Sequence, residues 1–184
     1  MLRKGLTLGA ILGGVLLAGC SGGGAAPEPP SSAPVEPPAP PSSSRTAPAK
    51  QLQVADACGV LTPEQQQAIG VNEPPRARES NGVPGCTFED GGGNATDGWS
   101  AFAAVKQGET LQQFTERMAN EQPATVAGYP AVQIASGNRN CIVSVDVSDQ
   151  GSVFVNGISR NEAVNGCDVM KKVAEAVVQN LPNA

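Results

Sequence analysis

Four cysteines, Cys58, Cys86, Cys141 and Cys167, constrain the fold of this chain more than any other feature. They follow one another at separations of 28, 55 and 26 positions, so the close Cys-x-x-Cys pairs of four-thiolate zinc sites and of redox catalysts are missing. An even number of widely spaced cysteines predicts disulfides, provided that the chain is exported to an oxidising compartment. Four cysteines allow three pairings.

The segments 141–148 and 152–159 help to choose among these pairings. Both alternate apolar with polar residues, which predicts the two strands of a hairpin that turns at Asp149-Gln150-Gly151. The register that we predict gathers the valines on one face. The predicted neighbours are Val145 and Val155, Val147 and Val153, Val143 and Gly157, and Cys141 and Ser159.

This register places Cys141 at the open end of the hairpin, next to Ser159. Only seven residues separate Ser159 from Cys167, so a Cys141–Cys167 disulfide forms easily. Cys58 and Cys86 then remain as the second pair. In the chain-entropy model, each closed loop contributes on the order of 3 kcal/mol of stability.

Residues 1–19 predict an export signal. Arg3 and Lys4 precede an apolar stretch, 5–16, that is too short for a stable membrane span. Leu17-Ala18-Gly19-Cys20 resembles the lipobox of bacterial lipoproteins. This resemblance implies cleavage before Cys20 and a diacylglyceryl group on its thiol, and two acyl chains give stable membrane anchoring. The alternative is an ordinary secretory signal followed by an incidental cysteine.

Composition divides the rest of the chain into a linker, residues 20–50, and one globular domain, residues 51–184. After Cys20, Pro, Ser, Ala and Gly occupy 24 of the 30 positions up to residue 50, which predicts a disordered, semi-extended spacer. The domain has 15 acidic and 8 basic side chains, a net charge of −7. This charge argues against nucleic acid and against electrostatic attachment to anionic lipid.

Capping residues predict three helices in the domain. Thr62 and Thr110 each begin a capping box completed by a glutamine three residues later, and Gly70 closes the first helix. Asn165 caps a third helix whose apolar stripe runs to Leu181.

Alternating apolar residues predict strands at 86–89, 99–106 and 126–135, besides the hairpin. The segments 72–85 and 90–98 are rich in turn residues and are interpreted as loops. The prediction is an α+β fold in which helices pack on an antiparallel sheet of about five strands. Because aromatic residues make up only 3% of the chain, we expect a light core that depends on its disulfides.

The segments Asp56-Ala-Cys58-Gly-Val-Leu-Thr62-Pro-Glu64 and Gly85-Cys86-Thr87-Phe88 resemble motifs of the actinobacterial lipoproteins grouped as domain of unknown function 3558. Phe88 stands where that family usually has Trp. The resemblance covers residues 54–182. It implies an exported lipoprotein with an α+β domain similar to Mog1/PsbP folds, and it transfers no functional residue because the family has no assigned activity.

The search for chemistry identifies no catalytic, cofactor-binding or metal-binding residue. The chain has no histidine, which excludes His-dependent triads and His-ligated metals, and it has no Ser-x-x-Lys motif. The glycine run at 91–93 lacks the P-loop lysine. Glu89, Asp90 and Asp97 are weak calcium candidates without EF-hand spacing.

Four further side chains receive structural interpretations. Asp146 and Asp149 are interpreted as a solvent-facing residue and a turn residue, respectively. Trp99 and Tyr129, the only Trp and Tyr, are interpreted as core residues.

We expect a non-enzymatic domain, without a cofactor, that the lipid on Cys20 holds at the extracytoplasmic face of the cell membrane. Its expected partner is an envelope protein, glycan or lipid. The alternatives are a carrier with an apolar cavity between sheet and helices, and a hydrolase with a serine beside a buried lysine or carboxylate.

Overall fold

The central element of the protein, seen in a computed structural model, is an antiparallel sheet. The structure describes residues 45–92 and 96–184. Within them the strands are β1 (Arg76–Ser80), β2 (Val83–Asp90), β3 (Trp99–Gln107), β4 (Gln122–Val126), β5 (Tyr129–Ser136), β6 (Asn140–Ser148) and β7 (Gly151–Ser159). These seven strands lie in the order β1-β2-β3-β7-β6-β5-β4.

Three helices accompany the sheet in the described part of the chain: α1 (Pro63–Ile69), α2 (Leu111–Arg117) and α3 (Gly166–Asn180). The predicted capping boxes of α1 and α2 are confirmed, and the side chain of Asn165 caps α3 by accepting from Cys167 N–H. None of the described helices has the length and apolar character that crossing a membrane requires.

Helix α3 covers one face of β6, β7 and β3, and this contact forms the core. Gly157 lets the helix approach the sheet closely, because a Cβ there would lie 2.6 Å from the sulfur of Met170. Each fully buried valine contributes about 1.5–3 kcal/mol of hydrophobic stabilisation. The fully buried contacts come from Val143, Val145, Val147, Val153 and Val155 of the strands and from Met170, Val173, Ala174 and Val177 of the helix.

Both predicted disulfides are present. Cys58 pairs with Cys86, with Cα atoms 5.0 Å apart, and Cys141 pairs with Cys167 at 4.9 Å. The first bridge holds the chain before α1 to β2, and the second holds β6 to the first turn of α3. Each closes a loop of fewer than thirty residues and contributes about 3.5 kcal/mol in the chain-entropy model.

The predicted register of the β6–β7 hairpin is wrong by two residues. Val145 pairs with Val153, Val143 with Val155 and Cys141 with Gly157. Because side chains alternate between faces with a period of two, this shift leaves every valine on the core face. The pattern of apolar residues therefore predicted correctly which face of the hairpin is buried, but it predicted the wrong cross-strand pairs.

The turn accounts for this shift. Only Asp149 and Gln150 connect the strands, and Ser148 pairs with Gly151, which was predicted to belong to the turn. A β-bulge then places Asp146 and Val147 opposite the single residue Ser152. The shorter turn shifts the cross-strand pairs by one residue from the predicted register, and the bulge shifts all later pairs by one more.

The expected number of about five strands is corrected to seven by the two edge strands, β1 and β4. Strand β1 lies in the segment 72–85, which was interpreted as loop, and β4 precedes the predicted strand 126–135. Each edge strand is joined to the next strand by a turn of two residues that both have positive φ. Asn81-Gly82 joins β1 to β2, and Ala127-Gly128 joins β4 to β5. Asn-Gly between two strands is a strong hairpin signal that the loop interpretation missed.

Candidate functional site

Residues 45–53, which we call the N-terminal strap, lie along the end of the sheet where β6 ends and β7 begins. Backbone hydrogen bonds join Lys50 N–H to Val147 O at 2.8 Å, Gln51 N–H to Pro182 O at 2.9 Å and Ala184 N–H to Ala49 O at 2.8 Å. The strap is therefore paired both with β6 and with the residues that follow α3. Residues 45–50, which the sequence assigns to the linker, contact the domain.

Arg45 fastens the strap to the β6–β7 turn. Its guanidinium lies 2.8 Å from Asp146 Oδ1 and 2.9 Å from Asp149 Oδ1. The side chains of Arg45 and Asp146 are 8% and 9% exposed, whereas Asp149 is 73% exposed. The interpretation of Asp146 as solvent-facing is thus wrong, because the guanidinium compensates its charge in a buried position. Asp149 is a turn residue, as predicted.

Tyr129 supports the middle of the strap. Its side chain is 5% exposed, and its hydroxyl donates to the carbonyl oxygen of Pro48 at 2.7 Å. The ammonium of Lys50 lies 5.9 Å from the centre of the Tyr129 ring and donates to Leu181 O at 2.9 Å. The predicted core role of Tyr129 is confirmed, and that of Trp99 also, since Trp99 is 6% exposed.

A groove of about 860 Å³, open to solvent, lies between the strap and the sheet end. Four segments form its walls: the strap residues 49–53, the connection from β3 into α2, the β6–β7 turn, and Ala184. Glutamine is the commonest lining residue, at Gln51, Gln53, Gln107, Gln113 and Gln150. The groove thus presents mainly amide donors and acceptors.

The wall between β3 and α2 is held by hydrogen bonds around Glu109. Its carboxylate binds Lys106 at 2.6 Å and Arg117 at 2.5 Å, and its carbonyl oxygen accepts from Ser152 Oγ at 3.0 Å. Burial raises the pKa of Glu109, but the hydrogen bond and charge of Lys106, with those of Arg117, outweigh burial and lower the pKa below 4.5. Glu109 is therefore an ionised structural anchor at neutral pH.

The three carboxylates considered for calcium are bound to protein groups. Glu89 pairs with Arg76 at 2.5 Å, and Asp90 accepts from Asn72 at 2.7 Å. Asp97 accepts from Gly98 N–H at 2.8 Å and from Asn161. Among residues 45–92 and 96–184, no Cys, Asp and Glu residues form a group of three or more suited to a metal ion.

The two adjacent lysines of α3 lie apart from the groove. Lys171 pairs with Asp168 at 3.1 Å on the outer side of α3, and Lys172 is exposed. The proposed lipid site, Cys20, and positions 93–95 of the glycine-rich loop lie outside the described residues. None of the three carboxylates considered for calcium lines the groove, whereas Asp149, predicted to be a turn residue, does.

The groove and the strap were missed at the sequence level. The five glutamines belong to three separate segments, and only the fold brings them together. One signal was available, because Arg45 and Lys50 are the only basic residues of the predicted linker and lie at its end. These two basic residues belong to the part of the spacer that contacts the domain.

The sheet, the three described helices and the two disulfides define a small disulfide-bonded α+β domain with a polar surface groove. Over residues 15–180 the chain matches the family model described as Protein of unknown function (DUF3558), and it belongs to that family. Neither the curated proteins nor the solved structures contain a match to the chain. Similarity to Mog1/PsbP folds therefore stays a prediction.

We predict that Arg45→Ala destabilises the domain by about 3 kcal/mol, because it leaves the buried Asp146 carboxylate without this guanidinium. Urea denaturation measures the loss. Arg76→Ala is the matched control: it breaks an ion pair whose arginine side chain is 62% exposed, and it should cost less than about 1 kcal/mol. Equal losses in the two variants would contradict a fastening role for Arg45.

We also predict that the Glu109 ion pairs stabilise the fold at neutral pH and lose this effect in acid. A carboxyl whose pKa is lower in the folded than in the unfolded state stabilises the fold above its unfolded pKa, and the effect disappears as pH falls through the folded pKa. The stability difference between the wild type and Glu109→Gln should shrink below about pH 4.5. Glu121→Gln, at an exposed residue, is the control, and a pH-independent difference for Glu109→Gln would refute the prediction.

Proposed function

We propose that this protein is an exported lipoprotein of the actinobacterial cell envelope and that its domain is a non-enzymatic binding module. In this proposal the lipid on Cys20 holds the domain at the outer face of the cell membrane. The lipobox at 17–20, the proline-rich spacer and the two disulfides support it, since disulfides persist in oxidising compartments. The observation that carries the binding role is the open groove formed by four separate segments.

The ionic groups of the domain support binding rather than catalysis. A general acid at neutral pH needs a raised carboxyl pKa, whereas hydrogen bonds and neighbouring charges lower the pKa values of Glu89, Asp97 and Glu109 despite some burial. The buried Asp146 carboxylate faces the Arg45 guanidinium. These carboxylates act as structural counter-ions.

The packing of α3 favours surface binding over carriage of a hydrophobic ligand. Methionine, valine and alanine side chains of the helix are fully buried against the sheet, including Met170, Val173 and Val177. The described groove lies instead at the sheet end and has polar walls. A ligand in this groove is held at the surface of the domain.

Cys20→Ala should release the protein from membranes, because the two acyl chains of the lipid supply stable anchoring and a domain with net charge −7 has no electrostatic substitute. Sedimentation of membranes followed by intact-mass measurement tests this. Ser31→Ala, a change within the spacer, is the control and should remain with the membranes. Continued sedimentation of Cys20→Ala would remove the anchor from the proposal.

The binding role is tested by photo-crosslinking on intact cells. A photoreactive residue at Gln53, on the groove wall, should capture an envelope component, whereas one at Gln67, an exposed glutamine of α1, should not. Capture at both positions indicates nonspecific contact. Capture at neither position contradicts a binding role for the groove.

A further inference from the structure

The groove has the polarity of a site for a neutral, hydrogen-bonding ligand. Its charged lining residues are Lys50 and Asp149, which are opposite in sign. Asp149 is paired with Arg45, and the Lys50 ammonium donates to the neutral carbonyl oxygen of Leu181. With one charge of each sign, the described walls favour neither anionic nor cationic ligands as a class, and an apolar ligand meets many amide groups.

In three of the lining glutamines, either the NH₂ group or the carbonyl oxygen of the side-chain amide already forms a hydrogen bond within the protein. Gln51 Nε2 donates to Asn183 O at 3.1 Å, and Gln107 Nε2 donates to Leu52 O at 3.3 Å. Gln113 Oε1 accepts from Thr110 N–H at 2.9 Å within the capping box of α2. Fixing one end of an amide restricts the other, so less side-chain entropy is lost when a ligand binds.

The opposite ends of these amides supply a mixed set of polar atoms. Gln51 and Gln107 have their carbonyl oxygens for a ligand donor, and Gln113 has its NH₂ group for a ligand acceptor. A hydroxyl group donates and accepts at the same atom, so a ligand with several hydroxyls can satisfy both kinds of partner.

Three backbone N–H groups of the groove walls are already used within the domain, which disfavours an extended peptide at those positions. A peptide that adds to a wall as a strand needs unpaired backbone N–H groups. Lys50 N–H donates to Val147 O, Gln51 N–H donates to Pro182 O, and Gly108 N–H donates to Gln150 O at 2.7 Å. These donors are committed within the domain, whereas the glutamine side chains remain for recognition.

We propose that this groove binds a short uncharged saccharide, either a free sugar or a segment of an envelope glycan. The proposal rests on the binding role given above and names the ligand class for the same site. The groove volume of about 860 Å³ lies within the usual range for small-ligand sites. Gln51, Gln107 and Gln113 recognise the sugar hydroxyls.

The test uses the full chain, labelled for NMR, in a detergent that contains no sugar. The probes are maltotriose, mannotriose and galactotriose, and tetraglycine represents a peptide. At least one trisaccharide should shift the backbone amide signals of Gly108, Gln113 and Gln150 in a saturable manner, and tetraglycine should not. Absence of shifts with all three sugars, or binding of tetraglycine alone, overturns the proposal.

Gln113→Glu is the decisive variant, because glutamate keeps the capping-box acceptor of α2 and removes the NH₂ donor. Saccharide affinity should fall about fivefold or more, as expected for the loss of one hydrogen bond, while the thermal midpoint stays unchanged. Gln67→Glu makes the same change of charge on α1, away from the groove, and should keep full affinity. Equal affinity in both variants excludes recognition by Gln113.

The two proposals fail in different ways. Capture of a partner at Gln53 together with no saccharide binding leaves the binding role intact and removes the ligand class. Failure of both experiments removes both proposals.

Discussion

The contact between α3 and the valine face of the β6–β7 hairpin is the interaction on which the rest of the domain depends. The valines of β6 and β7 are fully buried, and α3 places its apolar stripe against them. The close approach at Gly157 and the Cys141–Cys167 bridge hold the helix in register with the hairpin. Because the domain has few aromatic side chains, many small aliphatic contacts must act together, and the disulfides restrict the unfolded chain.

The same hairpin organises the polar end of the domain. Its bulge carries Asp146, and Asp146 with Asp149 receives Arg45 of the strap. The groove walls are therefore continuous with the core: the strap is bonded to β6, and the turn is bonded to the connection before α2. Backbone hydrogen bonds between the wall segments hold these segments in place. The side-chain amides that the segments carry are therefore held at fixed positions relative to one another.

Local signals in the sequence predicted the interior of the fold well. Thr62, Thr110 and Asn165 each cap a helix where the sequence placed the cap, and the two disulfide pairings are correct. The two missed strands have a common cause, since β1 and β4 are exposed edge strands that lack a buried alternating pattern. The hairpin register depended on a bulge at Asp146, and alternation with a period of two does not detect a shift of two residues. The groove depends on tertiary contacts between segments that are distant in sequence, which no local pattern encodes.

The two edge strands, which the sequence hid, also decide how copies of this domain meet. An unpaired strand edge is a template for pairing with a second chain unless charge or proline blocks it. Strand β1 carries exposed Arg76, Arg78 and Glu79, and β4 carries Pro123, which has no N–H to donate. Extension of the sheet from one molecule into the next is thus disfavoured at both edges.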